Sequence, residues 1–268
     1  MHLPRRWAFT VAFVASSAGL LGCASSGSPE SQQDRSLDYV ERIPGTSITF
    51  DMVWIPDGAF WMGETEVTWD EYLVFCNFNA PLPAGVDAVT RPSKPLEVHP
   101  YDRHWGTGRR PAVGMSRNGA ERYCAWLSSL TGREYRLPTE QEWERACGSG
   151  TPTPLADHAW FARNSAGKTQ EVGRKLPNRH GLHDMLGNLW EYCVGGFRPE
   201  EPERAVLRGG SWRESAREIS PSRRLAFDDD WTLDDPGFPP GVWWVPDGDH
   251  LGFRLLRSGP AGRSDTNP

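Results

Sequence analysis

Residues 181–191, Gly-Leu-His-Asp-Met-Leu-Gly-Asn-Leu-Trp-Glu, set Asp184 and Glu191 on either side of a Gly187-Asn188 turn. Hard cations such as calcium are held by several oxygens, and a turn offers backbone carbonyls beside side-chain acids. The alternative is architectural: Asp184 caps a turn while Glu191 meets an arginine. A second group is His99, Asp102 and His104 in His-Pro-Tyr-Asp-Arg-His. It is either a two-histidine, one-carboxylate set suited to non-haem iron or a solvated loop. A third stretch, Arg208-Gly209-Gly210-Ser211-Trp212, leads to Glu214 and Ile219, and no cysteine follows Cys193 anywhere in the chain. Ser-His-Asp signatures, phosphate-binding glycine loops and zinc spacings are absent from the sequence.

Acids and aromatics then alternate: Trp231, Phe238, Trp243 and Trp244 stand among Asp228, Asp229, Asp230, Asp234 and Asp235. Such a mixture suits a glycan, a basic peptide or a partner protein. The architectural alternative puts Trp243 and Trp244 over the core and leaves the acids in water. Trp212, Glu214, Arg217, Arg223, Arg224 and Trp231 make up the candidate binding surface.

Several elements must position these groups. Ile48, Phe50, Met52 and Trp54 alternate as in a half-buried strand, and Pro56-Asp57-Gly58 marks a turn. Thr68-Trp69-Asp70-Glu71 is a capping box opening a helix to about Asn77. Ala120, Tyr123, Cys124, Leu127 and Leu130 give a second helix from Ser116 to a stop at Gly132. Thr139-Glu140-Gln141-Glu142 begins a third, short helix. Two or three helices among short irregular strands, with 28 Gly and 23 Pro to supply turns, predict a loop-rich α+β domain. Val53–Gly58 and Trp243–Gly248 are similar strand-turn pieces that would flank each other if the termini meet, or are coincidence.

At the N-terminus, Arg5 and Arg6 precede an apolar run from Trp7 to Leu21, too short to span a bilayer but right for a signal peptide. It ends in Leu20-Leu21-Gly22-Cys23, which resembles the bacterial lipobox and implies cleavage before Cys23 and lipid attachment to it. The predicted organisation is a signal peptide over 1–22, a lipid-anchored tether over 23–46, a domain over 47–258 and a disordered tail over 259–268. Cleavage would leave 27 basic against 35 acidic side chains, a net of −8. That balance argues against nucleic acid as a partner.

Landmarks in order carry a family resemblance. They are Phe60-Trp61-Met62-Gly63, Glu66-Val67-Thr68, the run Tyr135 to Glu144, Asn164-Ser165, Gly181 to Glu191, Arg208 to Trp212 and Gly252-Phe253-Arg254. Together they resemble the sulfatase-modifying factor family, which includes the formylglycine-generating enzyme. The resemblance implies a variant of the C-type-lectin fold. It implies a calcium site using the Asp184 and Glu191 side chains with the Gly187 and Leu189 carbonyls. It also implies a second calcium near Asn164 and Ser165, although the acidic segment that would complete it reads Ala166 to Gln170 here.

The family's copper(I) is held by two cysteines whose positions are Glu214 and Ile219 in this chain. A carboxylate and an aliphatic group do not replace a soft dithiolate. Cysteines matching Cys124 and Cys147 form disulfides in the family, and their partners stand here as Leu225 and Leu255. Among Cys76, Cys124, Cys147 and Cys193 the sequence allows three complete pairings or free buried thiols. The expectation is a lipid-anchored binding or assembly module of the cell envelope, whose partner is an unknown envelope protein, peptide or glycan. The alternative is an oxidoreductase of the same family using iron or another metal.

Overall fold

A computed structural model describes residues 37–77, 105–235 and 240–259. Cys23, the His99, Asp102 and His104 group and Phe238 lie outside the described residues, as does the predicted tail beyond Gly259. The described chain folds into two sheets and three α-helices. The strands are β1 (Tyr39–Arg42), β2 (Thr49–Ile55), β3 (Phe60–Gly63), β4 (Tyr135–Arg136), β5 (Trp190–Arg198), β6 (Glu201–Arg208), β7 (Arg224–Ala226), β8 (Leu251–Gly252) and β9 (Leu256–Ser258). The helices are α1 (Trp69–Asn77), α2 (Arg117–Thr131) and α3 (Glu140–Cys147). One sheet runs β1-β2-β3-β9-β4, antiparallel throughout. The other runs β7-β6-β5-β8, with β8 parallel to β5. The α+β class expected from the sequence is the class observed.

The helices start and stop where side chains satisfy their loose backbone groups. Ser116 accepts from the Gly119 amide at the head of α2, and Gly132, at φ 69°, closes it. Thr139 and Glu142 form the reciprocal capping box of α3, and Arg136 grips the same Glu142 carboxylate with both of its terminal nitrogens at 2.7 Å. At the head of α1, Glu71 accepts from the Thr68 amide at 3.1 Å and its hydroxyl at 2.7 Å. A dense aromatic core joins α1 and α2 to the late chain. Trp69 stacks near Trp244, Tyr72 lies over Tyr123, and both Tyr72 and Tyr123 meet the edge of Phe253.

Two expectations need correction. Strand β1 occupies residues assigned to the tether: Tyr39–Arg42 pairs with Thr49–Met52, and Ile43 is fully buried. Its hold is polar, which hydrophobic alternation does not reveal. Glu41 accepts from the Tyr135 hydroxyl and from Arg133 (2.6 Å), while the Tyr39 hydroxyl meets that of Tyr135 at 3.0 Å. The two similar strand-turn pieces do not pair either. Trp244 bridges to Met115 and Val245 bonds to Gly114, whereas β2 lies between β1 and β3. Trp243 and Trp244 take the architectural role, both buried.

Glu71 yields a stability prediction. Burial pushes its carboxyl up to about 7, against the opposing hydrogen bonds from Thr68. A carboxyl with a raised folded-state pKa contributes stability that is full below its unfolded value and is lost as pH climbs through its folded value. Urea denaturation of wild type and Glu71→Gln should therefore diverge between pH 4.5 and 8. The wild type loses stability relative to the variant by on the order of 3 kcal/mol over that window. A pH-independent difference would contradict the assignment.

Candidate functional site

Arg254, between β8 and β9, has no solvent-exposed side-chain surface, and neither, to within 1%, has Glu191 at the start of β5. The guanidinium donates to both Glu191 oxygens, from Nε at 2.9 and 2.7 Å and from Nη2 at 2.7 Å. Its remaining hydrogens reach the carbonyls of Gly63 at 3.1 Å and His183 at 3.0 Å. The Trp143 indole of α3 donates to Glu191 Oε2 at 2.7 Å. Of the two readings of Glu191, the structure realises the arginine contact.

Two further acids share this interior. Asp184 sits at φ +54°, and its Oδ2 accepts from the Gly173 amide at 2.7 Å. Glu66 has Oε2 facing the Asn188 amide at 3.3 Å. Asp184 Oδ1 and Glu66 Oε1 are buried without a hydrogen-bond partner. Burial, followed by the negative charge of Asp184, holds the Glu66 carboxyl well above the usual range, and burial raises Asp184 as well. The turn beneath them needs its glycine. Gly187 is at φ +77°, and a Cβ there would lie 2.1 Å from the Trp160 carbonyl oxygen.

Among the expected calcium donors, Asp184 has a hard oxygen to spare. Both Glu191 oxygens accept from Arg254 or Trp143, and a carboxylate offers further lone pairs beyond these. At the second expected site, Asn164 Oδ1 accepts from the Phe161 amide at 2.8 Å, and the Ser165 carbonyl accepts from Gln170 at 2.6 Å. The oxygens that would serve a metal tie the loop to itself.

The RGGSW stretch is equally committed to structure. Fully buried Arg208 binds Glu140 (3.2 Å), Glu144 and the Pro221 carbonyl, so it fastens β6 to α3. Glu214 turns inward. Its Oε2 accepts from the Ser211 amide at 2.7 Å and hydroxyl at 2.6 Å, and its Oε1 from the Trp190 indole at 3.0 Å. Ile219 is buried among Trp143, Met185, Cys193 and Val206 in one apolar cluster. It packs so closely on Gly210, at φ +82°, that a Cβ there would come within 3.0 Å of it. Copper(I) does not fit these two positions. Cys124, Cys147 and Cys193 are free and buried, so the disulfides that the resemblance implied for Cys124 and Cys147 are not formed. Burial pushes the Cys147 thiol up to about 12 and raises Cys124 and Cys193 too, so they remain thiols near neutral pH.

The expected binding surface splits. Trp212 donates to the Asp249 carbonyl at 3.1 Å and meets the ring of Trp105, while Trp231 stands edge-on to His250 at 4.8 Å. Asp249 and His250 therefore bring these two tryptophans to one segment. Arg213 joins them, bound to Asp249. Arg217 and Arg223 are exposed. Arg224 is pinned elsewhere, by Glu140 at 2.7 Å and the Phe197 carbonyl, and Glu214 faces inward. Glu66, Asp249 and Arg254 were not anticipated as site residues. The nearest signal was that Glu66 and Arg254 lie inside the landmarks Glu66-Val67-Thr68 and Gly252-Phe253-Arg254.

Comparison with known proteins agrees with these landmarks. A family model described as the sulfatase-modifying factor enzyme 1-like domain matches residues 50–239. The chain is similar to "Inactive C-alpha-formylglycine-generating enzyme 2" of Mus musculus, 34% identical over 125 residues, which are 40% of this chain and 39% of that protein. It is similar to the formylglycine-generating enzyme of Streptomyces coelicolor, 32% identical over 40% of this chain and 44% of that one. These matches span about two-fifths of each relative's length. Chaperone protein LppX of Paenibacillus barcinonensis is 24% identical across 84% of this chain and 94% of its own. Among solved structures, Treponema denticola variable protein 1 superposes with a TM-score of 0.59 at 23% identity, covering 83% of this chain and 99% of that one.

Replacing Arg254 with Met should cost about 3–5 kcal/mol in urea denaturation, because it strands Glu191 and removes the positive charge among three buried acids. A loss below about 1 kcal/mol would show that the guanidinium is not what holds these segments together.

Proposed function

The chain belongs to the family of sulfatase-modifying factor enzyme 1-like domains, with its loop-rich variant of the C-type-lectin fold, and from that premise we propose that it is a non-catalytic binding or assembly member. The observation that carries this reading is the fate of the two positions where the family's copper cysteines would stand. Glu214 is locked to Ser211 and Trp190, and Ile219 is packed into the core. Soft thiolates are what copper(I) requires, and a clamped carboxylate beside a buried isoleucine supplies neither soft ligand nor space. The mouse relative carries the word inactive in its name, and the Paenibacillus relative, matched over nearly its whole length, is named a chaperone. Both names support the reading.

Binding would fall to the face where Trp212, Trp231 and Arg213 gather on Asp249 and His250, with exposed Arg217 nearby in sequence. Aromatic faces next to charges recognise proteins, peptides or glycans. Anchoring at the bacterial cell envelope would come from lipid on Cys23, as Leu20-Leu21-Gly22-Cys23 implies. Several acyl chains would hold the acidic domain at a membrane without an amphipathic helix.

The Streptomyces relative is named as an enzyme, so the reading is tested against enzymatic activity. Full-length protein would be titrated with copper(I) under a competing chelator, then supplied with cysteine-containing peptides in an oxygen electrode. The expected outcome is no stoichiometric copper(I) and no oxygen uptake above the peptide blank. Metal retained at one per chain, copper or iron, together with thiol-dependent oxygen consumption would overturn the proposal and restore the oxidoreductase alternative.

A further inference from the structure

Strand β1 gathers aromatic rings, arginines and exposed aliphatic side chains at one edge of the fold. Leu37 and Val40 are 49% and 62% exposed. The Leu37 carbonyl accepts from the Trp61 indole at 2.8 Å, and the Asp38 carboxylate accepts from the Trp54 amide at 2.8 Å. Trp54 and Trp61 have their rings 4.5 Å apart, and Tyr39 stands edge-on to Trp61 at 5.8 Å. Tyr39 and Trp54 are half-buried, so part of each ring meets solvent. The Arg257 guanidinium lies 5.2 Å from the Tyr39 ring and 4.5 Å from that of Trp61, and Arg133 lies 5.0 Å from Tyr39.

Arg133 is bound to Glu41, whereas no carboxylate among the described residues pairs with Arg257. Its charge is free for an outside anion. Asp51, opposite Val40 in the register, and Glu134 are exposed acids close by in the fold or the chain. The patch is therefore no broad positive field. It is an apolar and aromatic surface with one unpaired guanidinium laid on it.

The chain leading to this patch indicates what covers it. Only residues 24–36 separate Leu37 from Cys23, which the lipobox resemblance marks for lipid. Fully extended, that connection reaches about 50 Å, and a domain of some two hundred residues is about 45 Å across. A lipid on Cys23 would thus hold the surface around Leu37 nearest the bilayer. Tryptophan and tyrosine collect at membrane interfaces, where an apolar ring and a polar tip are both accommodated. An arginine there rests its stem on apolar surface and keeps its charge among the headgroups.

We propose that Leu37, Tyr39, Trp54 and Arg257, with Val40 on the other side of the same strand, form the surface by which the domain rests on a phospholipid leaflet. Arg257 meets lipid phosphate, and Leu37 enters the boundary between headgroups and acyl chains. A leaflet lying along β1 also covers the open edge of the five-stranded sheet, which would otherwise be free to pair with another strand. The choice of occupant rests on the lipid-anchor reading.

The test uses residues 24–268 made without lipid, which keep both sheets, all three helices and the aromatic core. Wild-type protein should cosediment with vesicles of phosphatidylethanolamine and phosphatidylglycerol at millimolar lipid. Leu37→Ser should weaken that binding about tenfold, and Arg257→Gln about fivefold. Leu176→Ser, which alters a leucine 56% exposed elsewhere, should leave it unchanged. Thermal unfolding of each variant separates a lost contact from a damaged fold. Equal binding by wild type, Leu37→Ser and Arg257→Gln would overturn the proposal. Acylation of Cys23 is read separately, by mass spectrometry of the full chain recovered from a bacterial envelope. An acylated Cys23 with a domain that ignores the vesicles would sink this surface and leave the anchor. An unmodified Cys23 would sink the anchor and, with it, the leaflet as occupant.

Discussion

A guanidinium with no access to water is expensive to bury, and its net effect depends on how completely its hydrogens are satisfied. Arg254 meets that condition by joining segments distant in sequence. Its carboxylate partner stands at the start of β5, its carbonyl partners end β3 and lie in the 181–191 loop, and its own backbone separates β8 from β9. Glu191 extends the link to α3 through Trp143. Regular strands here are short, several only two to four residues, so their ladders alone give limited cohesion. The Arg254 junction does for these loops what a long sheet does elsewhere. Arg208 repeats the device on a smaller scale between β6 and α3.

That dependence shows how the fold stands without cysteines at the two copper positions. In the stretch from Arg208 to Ile219, the groups that hold the loop are Arg208, Ser211, Glu214 and Ile219, and each is engaged within the protein. A cysteine pair at the last two positions would be available to a metal; a clamped carboxylate and a core isoleucine are not. Free buried thiols in place of disulfides fit the same picture. Leu255 is packed inside the aromatic core and Leu225 lies against it, so apolar contact replaces the cross-links that the resemblance implied.

What could be read from the sequence follows the range of the forces involved. Helices α2 and α3 were legible because Ser116, Gly132, Thr139 and Glu142 act within a few residues of the backbone groups they satisfy. The 181–191 turn was legible from its Gly187-Asn188 pair. Strand β1 was not, since its hold comes from Glu41 meeting Tyr135 and Arg133, more than ninety residues away. The inward turn of Glu214 was hidden for a different reason: a carboxylate in a loop reads as solvated until its three donors are known. Glu66 and Arg254 belong to the same class, being polar residues whose burial is decided by tertiary contacts alone.

The central claim is that Glu214 and Ile219 now serve the fold. Urea denaturation of the Glu214→Cys/Ile219→Cys double variant, under reducing conditions and without metal, tests it most directly. Losing three hydrogen bonds to one carboxylate and much of a buried aliphatic side chain should lower the unfolding free energy by on the order of 3 kcal/mol. A double variant as stable as the wild type would contradict the account, because it would mean that the loop still keeps those positions open for cysteine.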